Sequence, residues 1–420
     1  MPRADILIES PIEPSFRVEQ VRGMFDVPEA VSVKHEWHVN LPLEGKQWQI
    51  GLIVGPSGSG KTTIGRRLFP EALYHEGYKW PDSAAIVDGF PASLDGAAVT
   101  QALSSVGFSS PPHWLKRFSH LSNGQKFRCE LARLMLEDAD TVVFDEFTSV
   151  VDRDAAMISS AAVAKALRKR ARPRLVALSC HFDIVDWLDP DWVYNVATGD
   201  FSWRLLRRRP PVELRINEAT TAAWAMFRGH HYLTANLHKA ARCFVATWRD
   251  KPVAFTSFMH FAHPNVRQAK REHRTVVLPD YQGVGIGNAV SEWLGAHAKR
   301  LGFRFLSTTS HPAMIKHRHR SDLWKVKRIG HVALLGKNST MRRGSHLGDS
   351  GSYNRVTAGC EYVGPPAEPS AACATTLSNP STGSGVSPSV AQAPSTTGRR
   401  RKRSQKRPLT GRNRQRGQSR

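Results

Sequence analysis

Hydrophobic positions along the chain form two kinds of run. Continuous apolar stretches at Gln49-Ile50-Gly51-Leu52-Ile53-Val54, Thr141-Val142-Val143-Phe144 and Leu175-Val176-Ala177-Leu178-Ser179 predict strands buried on both faces. Alternation in Val31-Ser32-Val33 and Trp37-His38-Val39 predicts antiparallel strands ahead of the first of them, within residues 16–41. Helical spacing is seen in Thr63 to Leu68, in Phe127, Leu131, Leu134 and Met135, and from Ala219 to Phe227. Further on, Arg242–Trp248 and Pro252–Phe258 flank Arg249-Asp250-Lys251 as a hairpin, Phe303–Ser307 reads as a strand, and Ile286, Val290, Leu294 and Leu301 share a helix face that ends at Gly302. Arg207-Arg208-Arg209-Pro210-Pro211 breaks both periodicities and marks a boundary. From about Gly344 the chain is rich in Ser, Thr, Pro, Gly and Ala, too poor in apolar surface to fold. The expected organisation is therefore an α/β domain at 1–206, a linker at 207–211, an α+β domain at 212–340 and a disordered tail at 341–420.

Charge sharpens this picture. The 420 residues carry a formal charge of +23, of which the tail from Met341 holds +11, so the body is basic without it. Eleven cations and no anion fall in the last twenty-two residues, which suggests a flexible nucleic-acid-binding arm. Polyanionic partners are favoured throughout, nucleic acid before an anionic membrane surface. Five cysteines without C-x-x-C pairing suit a reduced, cytoplasmic compartment, and no stretch approaches the length of a spanning helix.

Chemistry begins where the first apolar strand ends. Gly55-Pro56-Ser57-Gly58-Ser59-Gly60-Lys61-Thr62 fits G-x-x-x-x-G-K-[ST] between a predicted strand and a predicted helix. Glycines let backbone N–H groups point at phosphate oxygens that a Cβ would obstruct, and the helix start adds positive potential. Gly55, Ser57, Gly58, Ser59, Gly60, Lys61, Thr62 and Thr63 are the expected ATP contacts, with Lys61 neutralising the β and γ phosphates and Thr62 on Mg²⁺. A second anion site is predicted at Leu121-Ser122-Asn123-Gly124-Gln125, a Ser/Gly turn opening a helix. Asp145 and Glu146 end the next buried strand, where one carboxylate can hold Mg²⁺ and its neighbour can deprotonate water. Ser149-Val150-Val151-Asp152 closes a short loop, and His181 follows the third strand, within reach of a γ phosphate. Phe25 is either an adenine-stacking ring or a core aromatic.

In this order the motifs resemble those of the ABC-type ATPases, across roughly residues 16–205. The resemblance implies a P-loop NTPase fold, ATP with Mg²⁺ held through Thr62 and Asp145, and hydrolysis served by Glu146, His181 and Lys61. It also implies a head-to-tail homodimer in which Ser122 and Gly124 of one chain cap the ATP of the other. Two departures stand out. Asn123 replaces a signature glycine, and the only glutamine between the first loop and the signature, Gln101, sits in a helix-like stretch. Asp88, after Ala84-Ala85-Ile86-Val87, is better placed for that Mg²⁺-side role. The short segment from Thr63 to Leu121 points to ABC ATPases that act on nucleic acid or ribosomes, with a transporter subunit as a third reading.

In the second domain a strand, Thr275-Val276-Val277, runs into Leu278-Pro279-Asp280-Tyr281-Gln282-Gly283-Val284-Gly285-Ile286-Gly287 and a helix, again presenting amides to an anion. Val277-x-Pro279 followed by Gln282-x-x-Gly285-x-Gly287 resembles motif A of the GNAT acetyltransferases, across roughly residues 212–335. A GNAT-like acyl-CoA N-acyltransferase fold is implied, with acetyl-CoA against Val277, Gln282, Gly283, Val284, Gly285, Ile286, Gly287 and Asn288. Acetyl transfer needs a base, for which Glu272, His273, Ser310 and His311 are nearby in sequence. No tyrosine follows Tyr281 until Tyr353 to match the acid frequent in that family. His311, Lys316, His317, Arg318, His319 and Arg320 form a basic patch that reads as a phosphate-contacting helix, a solvated face or a metal site, with Trp324 available for stacking or packing. The expectation is an ATPase acting on nucleic acid. Its rival is an acetyl-CoA-dependent N-acetyltransferase of RNA or protein with ATP-driven remodelling.

Overall fold

A computed structural model describes residues 3–27, 32–203, 210–231, 235–262, 266–331, 356–368 and 374–377. Strand β1 (Arg3–Pro11), helix α1 (Phe16–Phe25) and strand β2 (Ser32–Asn40) come first, with β1 and β2 paired antiparallel as a two-stranded sheet. The hairpin turns Ala4, Ile6 and Val39 inward onto the next core. By contrast, α1 buries none of its residues, although Ser15 caps it.

The first half then runs β3 (Ile50–Val54), α2 (Lys61–Leu68), β4 (Leu73–His75), α3 (Gly96–Ser105), α4 (Pro111–Trp114), α5 (Asn123–Leu134), β5 (Thr141–Phe144), α6 (Arg153–Leu167), β6 (Arg174–Ser179), α7 (Val185–Leu188), β7 (Trp192–Asn195) and β8 (Asp200–Trp203). The sheet order is β4-β5-β6-β3-β7-β8, parallel except for β8. Its central strands are apolar on both faces because helices cover both, as parallel crossovers require. Val54 is level with Ser179, and Phe144 with Ala177. Hence the segments leaving β3, β5 and β6 emerge side by side at one sheet edge, the usual place for a ligand in such a fold.

The second half comprises β9 (Val212–Ala219), α8 (Trp224–Phe227), β10 (Arg242–Trp248), β11 (Lys251–His260), β12 (Ala269–Val277), α9 (Ile286–Arg300), β13 (Arg304–Thr309), α10 (Pro312–Arg320), β14 (Trp324–His331), β15 (Val356–Tyr362) and β16 (Ala374–Leu377). Its sheet order is β14-β15-β13-β12-β11-β10-β9-β16. Helix α9 crosses between β12 and β13, the sheet's parallel pair, which touch only where Ala269–Arg271 meets Arg304–Leu306 and then part.

Three expectations need correction. The span 341–420 contributes β15 and β16 to the sheet, so the second fold does not stop at 340. Alternation was the overlooked signal, since Ala358, Cys360 and Tyr362 all point inward and Tyr362 packs against Trp324 at 5.4 Å. Second, Ala219 closes β9, leaving only Trp224–Phe227 as α-helix. Third, Ile86–Gly89 is a 3₁₀ turn, so Asp88 does not stand at a strand end, whereas Gln101 does lie on a helix. Arg207 to Arg209 and the terminal basic run lie outside the described residues. No helix among the described residues is long and apolar enough to cross a membrane.

The halves share a core. Met157, Ile158, Ala161 and Trp187 of the first pack into the second's apolar cluster, where Trp187 meets Trp248 edge-on at 5.8 Å.

Candidate nucleotide sites

The loop between β3 and α2 has the geometry of a phosphate cradle. Gly58 and Gly60 take φ of +77° and +88°, values that favour glycine, and their amides meet no acceptor among the described residues. Ser59 Oγ is buried without a hydrogen-bond partner. The ammonium of Lys61, 6 % exposed, donates to the carbonyls of Gly55 at 3.1 Å and Pro56 at 2.7 Å, folded over its own loop. Unused donors around a buried cation suit an oxyanion-rich ligand. Thr62 Oγ1 donates to Asp145 Oδ2 at 2.7 Å, which brings together the two groups expected at Mg²⁺.

Asp145, Glu146 and His181 gather at the same edge. Glu146 sits at φ +53° and Thr148 at +71°, the latter costly for a β-branched residue. Phe147 pins the loop, buried in the core with its amide on Leu178 O at 2.8 Å. The Glu146 carboxylate accepts from Ser149 Oγ at 2.5 Å. His181 is held by its amide on Ser179 Oγ at 3.1 Å, and burial pushes its imidazole pKa down, with Arg153 adding to the shift. Glu146 therefore reaches a water-accessible space, while His181 is kept neutral beside it. Asp152, which follows in the chain, caps α6 through Ala155 N.

Ser122 and Gln125 form a capping box on α5, so the second anion turn does open a helix. No hydrogen bond or ion pair among the described residues joins Ser122 or Gly124 to the first cradle. What Gly124 faces is Asp280, whose carboxylate oxygen would lie 3.0 Å from an added Cβ.

The second cradle lies between β12 and α9. Gly283 and Gly285 take φ of +95° and +109°, the amides of Gly283, Val284 and Gly285 meet no acceptor among the described residues, and Asn288 Oδ1 is buried unpartnered. Phosphate oxygens fit the three amides, whereas Asn288 Oδ1, an acceptor, calls for a donor. Gln282 is committed elsewhere, its Nε2 donating to Val277 O at 2.8 Å and its Oε1 accepting from Ser109 N at 2.8 Å.

The nearby acid–base candidates change on inspection. Glu272 is not available as a base. It is buried against the Arg318 guanidinium at 3.0 Å and accepts from Ser307 and Thr275; burial alone would raise its pKa, but Arg318 and these hydroxyls outweigh that and hold it low. His273 is pushed down to about 4 by burial, and its Nε2 accepts from His238 N at 3.1 Å. His311 is likewise lowered by burial, with Nδ1 unpartnered. The basic patch of α10 is partly consumed, because Arg318 is fully buried and His317 bonds Glu292 at 2.7 Å. Lys316, His319 and Arg320 still line a groove with Pro312, Ile315 and Val356. Trp324 packs in the core, with Arg318 over its ring at 4.2 Å.

Phe25 is 71 % exposed on α1, away from any core. Sequence reasoning missed Trp37, on β2, whose indole would lie 2.5 Å from a Cβ added to Gly60. An aromatic on β2, the strand before the one that leads into the loop, was the available clue. His35 stacks on it at 5.8 Å.

Residues 203–316 match the acetyltransferase (GNAT) family model. The tylosin resistance ATP-binding protein TlrC of Streptomyces fradiae is 32 % identical over 115 residues, covering 23 % of this chain and 21 % of TlrC, so the match spans about a fifth of that relative. Among solved structures, the ATP-binding cassette MJ0796 bound to ADP and Pi overlaps 40 % of this chain and 92 % of its own, at 13 % identity and a TM-score of 0.32. A Bacillus subtilis acetyltransferase in complex with CoA overlaps 36 % and 97 %, at 14 % identity and a TM-score of 0.27.

Proposed function

We propose that the chain joins an ABC-type ATPase half to a GNAT-type acetyltransferase half, binds and hydrolyses Mg-ATP and acts on nucleic acid. One observation carries the ATPase reading: Thr62 Oγ1 stands 2.7 Å from Asp145 Oδ2, directly beside a loop with unused amides and a buried lysine. Thr62 and Asp145 would hold Mg²⁺, which supplies charge neutralisation on the phosphates. Lys61 neutralises the terminal phosphates, Glu146 takes the proton of the attacking water, and neutral His181 accepts or donates one hydrogen bond at the same edge.

By the family resemblance Ser122 would cap the ATP of a second chain in a head-to-tail homodimer, although Gly124 is buried against Asp280 of its own chain. For nucleic acid as partner the support is the formal charge of +23 and the Lys316, His319 and Arg320 rim. A second reading, acetyl-CoA-dependent N-acetylation of RNA or protein, is favoured by the free amides of Gly283 to Gly285. In that reading the base is not Glu272.

The test is phosphate release from ATP with Mg²⁺, with and without nucleic acid. Glu146→Gln should lower turnover by about 10²–10⁴-fold while ATP still binds. Turnover unchanged in Glu146→Gln, or no ATP binding by the unaltered protein, rejects the proposal. Label transfer from acetyl-CoA to RNA or protein would establish the second reading.

A further inference from the structure

The two cradles are joined by a buried arginine. Arg128 lies on α5, one turn after Gly124, and is fully buried. Its Nε donates to Ser159 Oγ on α6 at 2.9 Å. Its Nη1 donates to Pro279 O and its Nη2 to Asp280 O at 2.7 Å, the two carbonyls just ahead of the Gln282–Gly287 loop. Three donors of one planar group on α5 thus bind two elements, α6 of the first half and the Pro279–Asp280 turn of the second, in a fixed fork. A lysine could not match all three directions.

Further contacts join the two halves. Asp154, in the first turn of α6, is nearly buried and paired with Arg249, in the turn joining β10 to β11, at 3.2 Å and with Lys251 at the start of β11. The amide of Ser109 donates to Gln282, and Gly107 packs so closely on Gly283 that a Cβ on Gly283 would lie 2.6 Å from Gly107 Cα. Helix α6 starts at Asp152, six residues beyond Glu146, while α5 starts at Ser122. A shift of α5 or α6 when the first cradle fills must therefore move the carbonyls that shape the second, or break a buried guanidinium network.

We propose that Arg128 is a positioning residue that couples the cradles, so that ATP occupancy changes acetyl-CoA affinity and acetyl-CoA changes ATP affinity by the same factor. This rests on both halves binding their nucleotides. The reciprocity is thermodynamic, and packed interfaces of this kind respond by discrete shifts.

The test uses full-length protein carrying Glu146→Gln, titrated with each ligand alone and then with the other at saturation with Mg²⁺. Each Kd is expected to change by at least about fivefold, by equal factors. Arg128→Lys should bring that factor toward one while leaving the Kd for ATP alone unchanged, a split that a merely structural role would not produce. If Arg128→Lys does not fold, Ser159→Ala, which removes one acceptor from the fork, should still reduce the factor. Independent affinities, unequal factors, or a factor undiminished in Ser159→Ala would overturn the coupling. Failure of either ligand to bind alone is a separate result, visible in the first titrations, and removes the functional reading and the coupling together.

Discussion

Trp37 and Phe25 separate what spacing suggests from what packing selects. Both are aromatic residues shortly before the phosphate loop, but Trp37 abuts Gly60 and Phe25 faces solvent. If the indole is the platform for the base, Trp37→Ala should weaken ATP binding by about tenfold or more, since base–aromatic stacking is worth about 1–3 kcal/mol. Phe25→Ala should leave it unchanged. Equal effects of the two substitutions, measured by equilibrium titration, would discard this assignment. Glu272 teaches the converse. In sequence it is a carboxylate at a suitable place for a base, and in the fold it is the acidic partner of a buried arginine. Breaking that pair by Arg318→Met should cost about 3–5 kcal/mol, because it strands a buried charge. Urea unfolding reads this directly, and a loss under about 1 kcal/mol would show the pair to be dispensable.

Among elements, the histidines on and around the packed helices set a pH dependence. Burial pushes His113, on α4, down to about 4, with Lys116 and His230 adding to it. His297 on α9, stacked on Trp293 at 5.0 Å, and His273 on β12 are also lowered to about 4 by burial. A depressed histidine pKa means that the unfolded chain binds more protons between about 6.5 and 4, so stability rises with pH across that window. Melting temperature should therefore fall steadily as pH drops from about 7 to 4. Glu272, also held low, adds a loss only below the ordinary carboxylate range, about 4.3. A melting temperature that is flat between pH 7 and 5 contradicts the buried-histidine account. Most elements were readable from periodicity, including α5 with its capping box and α9 with its closing glycine. Among the missed ones, which also include β1, α6, β7, β8, β9 and β14, β15 and β16 are short strands amid Ser- and Pro-rich sequence, whose pairing depends on β13, β14 and β9 far away in the chain. Local pattern carries little information about such partners.

At the scale of the whole molecule, charge and the joining of the halves decide behaviour. With a formal charge of +23, nucleic-acid binding should fall linearly in log–log plots against salt, and deletion of 399–420 should reduce the slope. An affinity indifferent to salt between about 50 and 200 mM would remove nucleic acid as the partner. Phosphate chemistry was determined by the sequence alone, because glycines, Lys61, Thr62 and the strand-end carboxylates act through types and spacings that the chain itself dictates. The same holds for the two fold classes, whose hydrophobic periods are local. Only the tertiary structure decided which aromatic reaches the loop, which carboxylate is consumed in an ion pair, and that Arg128 clasps carbonyls 151 and 152 residues away. Those outcomes depend on side chains brought together by closure of the sheets and by burial, which no single stretch of chain encodes.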